Sequence, residues 1–134
     1  DKGKLLQVIA FGTIFSVAAF LMLASLKFIG EGNLVKVLFY FISSMLGVGY
    51  GLIFPAYNTL FVNLAPNNRR ATASSTYMTS WDIGIGIGLV LGGVLADTHG
   101  GLQFAFWAGS LASVISYFYF VRIAGPHFRK NKLR

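Results

Sequence analysis

The chain has 134 residues, 55% of them hydrophobic and 11% charged, with a formal net charge of +7 and a mean hydropathy of +0.67. Soluble domains carry about a quarter charged residues, so this composition excludes an ordinary water-soluble fold. The absence of cysteine removes disulfide and thiol chemistry. Because the cations cluster at the ends of apolar runs, the basic excess does not read as a nucleic-acid surface.

Four apolar segments follow one another, each longer than the ~18 residues needed to call a spanning helix. A short basic loop, DKGK, precedes the first, over 5–27. This segment is apolar around its whole circumference, which predicts a peripheral helix facing lipid. Gln7, Thr13, Ser16 and Ser25 are its few polar side chains. The FIGEGN stretch then supplies a turn with helix-stopping glycines.

The second segment covers 34–64, a length of roughly 46 Å as a helix, so it must tilt or extend beyond the hydrocarbon layer. Pro55 removes a backbone hydrogen bond and predicts a kink. Gly47, Gly49 and Gly51 offer a neighbouring backbone a close approach. Tyr50, Phe54, Tyr57, Asn58 and Phe61 recur at helical spacing and present an aromatic face with one amide. APNNRR is the next turn, with Arg69 and Arg70 as topology-setting anchors.

The third segment, 71–96, contains one formal charge, Asp82. At 1.5 Å per residue it lies roughly 18 Å along the helix from Arg70, near the middle of a hydrocarbon layer about 30 Å thick. A charge there requires a buried partner, a wet cavity or a bound proton, which makes Asp82 the candidate for proton coupling. Structural bonding to a helix outside the chain is the competing reading. Ser80, Gly84, Gly88 and Gly92 recur every fourth residue and predict a smooth helix-packing stripe. Ser75, Thr79, Asp82 and Gly86 share a more polar neighbouring face. Tyr50, Phe54, Tyr57, Asn58, Thr79 and Trp81 are the candidate substrate-cavity residues, because aromatic walls with few directional polar groups suit small molecules. Trp81 projects about 100° from Asp82, so both cannot aim squarely at one ligand.

A DTHGG turn leads to the fourth segment, 102–123, which is rich in aromatic residues. Gly125 and Pro126 are expected to stop it, leaving 124–134 as a basic tail. Lys2, Lys4, Arg69, Arg70, Arg122, Arg129, Lys130, Lys132 and Arg134 fall on one side of the alternating spans. Only Lys27 and Lys36 fall on the other, nine against two of the 11 Lys and Arg. The positive-inside rule then places both ends of the chain and the Arg69–Arg70 loop in the cytoplasm. Compact loops suit a bacterial inner membrane. His99 and His127 have no ligand-spaced companions, so no metal site is expected. No nucleophile with its base, phosphate loop or cofactor motif is visible, and the expectation is a protein without enzymatic activity.

The run GVGYGLIFPAYNTLFVNLAPNNRRATASSTYMTSWDIGIGIGLVLGGVLAD resembles helices ten and eleven of major facilitator superfamily transporters. The resemblance rests on Gly49, Gly51 and Pro55, on Pro66, Arg69 and Ala71 of the loop, and on Gly84, Gly88, Gly92 and Gly93. Arg70 and Leu89 depart from it, standing where the family often has glycine and proline. The resemblance implies an all-α polytopic fold in which these four helices are the ninth to twelfth of twelve. It also implies alternating-access transport of a small molecule, the middle two helices lining the cavity. Its partners would be the lipid bilayer, the remaining helices, the solute and protons, with no nucleic acid and no cofactor. Since the chain opens at Asp1 inside a charged loop, it reads as a fragment. The alternative is a self-contained four-helix membrane protein acting as an oligomeric or interaction subunit.

Overall fold

The computed structural model describes residues 4–30, 32–97 and 101–133. Its chain is helical almost throughout, with four helices long and apolar enough to cross a membrane. Helix α1 spans Lys4–Ser25, α2 Asn33–Leu64, α3 Arg70–Asp97 and α4 Gly101–Tyr119, with a short α5 over Gly125–Asn131. The main packing contacts run from α1 to α2, α2 to α3, α3 to α4 and α4 back to α1, making a ring.

Local chemistry sets the boundaries. A 3-10 turn, Leu26–Ile29, ends α1, and Gly30 and Gly32 then take φ of +91° and +151°, a region that favours glycine. Ala65, ahead of Pro66, is forced into an extended conformation (φ −95°, ψ 143°) and ends α2. A 3-10 turn over Asn67–Arg69, held by the Arg69 N–H donating to the Pro66 carbonyl at 2.9 Å, leads directly into α3. Pro55 lies inside α2 without ending it. The DTHGG turn falls largely outside the described residues, His99 included.

Two expectations are corrected. First, α1 is not peripheral within this set. It packs against both α2 and α4 and buries Leu6, Ile9, Thr13, Ser16 and Ala19 among its residues. In a bilayer, lipid tails and protein interiors are equally apolar, so uniform hydropathy cannot tell the two neighbours apart. Second, Gly125 and Pro126 do not end the last helix. Pro126 has no N–H, and its ring would crowd the preceding turn. The backbone instead widens into a π turn over Phe120–Ala124, with the Gly125 N–H donating to the Phe120 carbonyl, and then continues as α5. The tail is thereby docked: Phe128 is 3% exposed, and the Leu133 N–H donates to the Asn63 carbonyl at 3.0 Å.

The core has two parts. At the basic end, Leu6, Ile9, Ala56, Leu60, Phe120 and Phe128 form one cluster, which brings the start of α1, the end of α2 and α5 together. At the opposite end, Ala19, Leu23 and Ile42 form another, with Phe20, Met45 and Phe106 packed around it. Thr13 and Ser16 lie between these clusters along α1, at the level where the interior opens.

Candidate functional site

A groove of about 700 Å³ occupies that middle level and draws residues from all four long helices. From α2 come Tyr50, Ile53, Tyr57 and Phe61; α3 faces them with Tyr77, Ser80, Trp81 and Gly84. Thr13 and Ser16 line it from α1, and Ser113 and Ser116 from α4. No lining residue carries a formal charge.

The wall between α2 and α3 is a continuous aromatic cluster. Tyr50, Phe54, Tyr57 and Phe61 follow at offsets of four, three and four residues, which places them on one face of α2. Tyr77 and Trp81 are four apart on α3 and dock into that face. Trp81 meets Phe54 edge-on at 5.1 Å and Tyr50 at 6.1 Å between centroids. Tyr77 lies 5.4 Å from Phe61 and 5.6 Å from Phe54, and stacks on Tyr57 at 6.5 Å. Each such pair contributes about 0.5–1.5 kcal/mol beyond burial. The Tyr77 hydroxyl also donates to the Phe54 carbonyl at 3.0 Å, fixing one helix to the other.

The hydroxyls supply the polar part of the wall. Thr13 donates to the Ile9 carbonyl at 2.8 Å and Ser16 to that of Gly12 at 3.1 Å. Ser80 and Ser113 likewise donate to carbonyls four residues back, each at 2.8 Å. Their protons are engaged, so what they retain for a ligand is acceptor capacity. The Tyr50 and Tyr57 hydroxyls make no hydrogen bond among the described residues and remain available as donors. The groove can therefore offer aromatic faces, two phenolic donors and a set of hydroxyl acceptors.

Of the residues expected to form the cavity, Tyr50, Tyr57 and Trp81 line it. Phe54 supports Trp81 and Tyr77 from outside the lining. Asn58 does not face the groove; its Oδ1 accepts from the Ser74 hydroxyl at 2.9 Å and clasps α2 to α3. Thr79 is exposed on a different face of α3 and is not part of the wall. Asp82 is exposed as well, has no partner among the described residues and stays outside the lining.

The expected glycine stripe also needs correction within this chain. Gly84 borders the groove, but an added Cβ at Gly84, Gly88 or Gly92 would meet nothing within 4 Å. Close approach occurs elsewhere, where Gly12 of α1 meets Gly49 of α2, while Gly47 and Gly51 are open. In the loop, Arg69 is exposed, and Arg70 is half-buried with its Nε lacking a hydrogen-bond partner among the described residues.

Tyr77, Thr13, Ser16, Ser113 and Ser116 were not foreseen as cavity residues. Tyr77 carried a signal, its four-residue offset from Trp81. The hydroxyl pairs Thr13/Ser16 and Ser113/Ser116 share a three-residue offset that puts both members on one helix face.

No solved structure matches the chain. A family model described as the Major Facilitator Superfamily matches it over residues 1–134. An all-helical chain with four membrane-crossing helices around a mid-level groove, matched along its whole length, belongs to the Major Facilitator Superfamily of membrane transporters.

Proposed function

We propose that the chain forms the last four helices of a twelve-helix secondary carrier. The carrier exports an uncharged, aromatic or amphipathic small molecule by alternating access, in exchange for protons. The observation that carries this reading is the groove: about 700 Å³, drawn from four membrane-crossing helices, and walled by aromatic rings and hydroxyls without a charge. Such a wall holds a solute by apolar contact and orients it with a few hydrogen bonds. Transporter sites near mid-membrane have this location.

Proton exchange is assigned to Asp82. Its carboxyl group lies roughly 18 Å along α3 from Arg70, on a face that also bears Ser75, Thr79 and Gly86, all exposed. A charge at that depth is costly against lipid, so the proposed carrier covers this face with further helices and a wet vestibule. Gly88 and Gly92, on the side of α3 that carries Trp81 rather than Asp82, leave a smooth surface for a further helix of the carrier. Nine of the 11 basic residues belong to one side of the alternating spans, which supports a cytoplasmic location for both ends of the segment.

The test uses the intact carrier in proteoliposomes holding an entrapped pH-sensitive dye, challenged with a panel of uncharged aromatic solutes. Solute addition is expected to drive proton flux, Asp82→Asn to abolish it, and Trp81→Ala to weaken solute-dependent transport. Proton flux surviving in Asp82→Asn refutes the coupling role. Transport indifferent to Trp81→Ala and Tyr57→Ala removes the groove from the pathway.

A further inference from the structure

A second recess, of about 240 Å³, lies at the basic end of the bundle, separate from the groove and sharing no residue with it. Leu6 and Ala10 of α1 form one wall; Phe120, Val121 and Pro126 form the other. Gln7 and Arg129, both exposed, supply its polar groups. We propose that this recess binds an anionic phospholipid, one acyl chain lying against the apolar walls and the phosphate meeting Arg129 and Gln7.

The hollow follows from the backbone. The π turn over Phe120–Ala124 widens the helix at the level where α1 would otherwise pack tightly, and Gly125 adds no side chain to fill the space. A Cβ at Gly125 would already sit 3.2 Å from the Phe120 carbonyl oxygen. The position of Arg129 is set by its neighbour: Phe128 is buried in the core cluster, which holds α5 against the bundle and places the next side chain at the recess.

Charge selects the occupant. Arg122 lies in the π turn, with Arg129, Lys130 and Lys132 close behind. Among the described residues the acids are Asp82 and Asp97, one midway along α3 and the other at its far end. Basic pockets between spanning helices attract anionic headgroups. The apolar walls favour a lipid over free phosphate, which would leave the exposed Val121 without an apolar contact. This inference does not depend on the solute or on proton coupling.

The experiment is native mass spectrometry of the intact protein in a neutral detergent. It is offered palmitoyl-oleoyl phosphatidylglycerol or the phosphatidylcholine with identical chains. The phosphatidylglycerol is expected to be retained preferentially. Arg129→Gln should weaken that retention about fivefold, as removal of one cation near an anionic surface implies, and Arg129→Lys should restore part of it. Lys27→Gln, at the opposite end, should leave it unchanged. If Arg129→Gln fails to match the wild-type circular dichroism, Val121→Trp fills the recess and carries the test, with loss of retention expected. Equal retention of the two lipids, equal losses in Arg129→Gln and Lys27→Gln, unchanged retention in a folded Arg129→Gln or Val121→Trp, or displacement of the lipid by excess inorganic phosphate would overturn the proposal.

Discussion

Replacing Gly12 with alanine tests the contact on which the α1–α2 pair depends. A Cβ at this position would lie 2.8 Å from Ile53 Cγ1 and 2.9 Å from the carbonyl oxygen of Gly49. The isoleucine can turn aside, but the carbonyl belongs to α2 and moves only with the helix. Restoring ordinary contact requires the two backbones to part by about 0.5–1 Å, an overpacking strain of about 1–3 kcal/mol. At 2 kcal/mol the unfolding equilibrium shifts about 30-fold. The assay is SDS titration of the purified intact protein in micelles, followed by far-ultraviolet circular dichroism. Gly47→Ala, where an added Cβ meets nothing within 4 Å, serves as the control and should leave the midpoint near the wild-type value. A Gly12→Ala protein as stable as wild type, or as unstable as the Gly47→Ala protein, would refute the close-packing argument.

Two further outcomes are expected in the same assay. Phe128→Ala empties a side chain that is 3% exposed and belongs to the cluster joining α1, α2 and α5; it should cost about 3–5 kcal/mol, with increased proteolysis of the last ten or so residues. A double-mutant cycle on Asn58→Ala and Ser74→Ala should return a coupling of about 0.6 kcal/mol, the average for interhelical hydrogen bonds in membranes. A zero coupling would mean that the 2.9 Å contact does not hold α2 to α3.

Helix number and helix positions were legible because hydropathy over 20 or so residues dominates every local preference in a bilayer. The third span, expected over 71–96, is Arg70–Asp97, and the second, expected over 34–64, is Asn33–Leu64. The turn at Pro66 was equally readable, since proline constrains both itself and the residue before it. Lateral neighbours were not. Helix α1 reads as lipid-facing on composition, yet Gly12, Thr13 and Ser16 are buried. Their smallness, rather than their polarity, was the sign of a helix neighbour. The end of α4 misled for a different reason. Glycine followed by proline usually stops a helix, but a π turn absorbs the missing N–H and lets the chain continue. The α2 side of the aromatic wall, Tyr50, Phe54, Tyr57 and Phe61, followed from periodicity alone. Tyr77 did not, because its importance comes from the face it meets on another helix.

The two sides of α3 have different surroundings, and their separation bears on how coupling would work in the proposed carrier. Tyr77 and Trp81 anchor one side to the aromatic stripe of α2, whereas Asp82 lies five residues, or about 140° around the helix, from Tyr77. A proton at Asp82 therefore cannot act on a solute in the groove by direct contact. The link has to be mechanical: protonation changes what the polar face of α3 can pack against, and the helix transmits that change to the opposite face through Tyr77, Trp81 and the Ser74–Asn58 clasp. A carrier built this way predicts that weakening the clasp uncouples proton from solute movement while leaving solute binding in the groove intact. Direct proton–solute competition, by contrast, would make Ser74→Ala neutral for coupling, and that result would separate the two mechanisms.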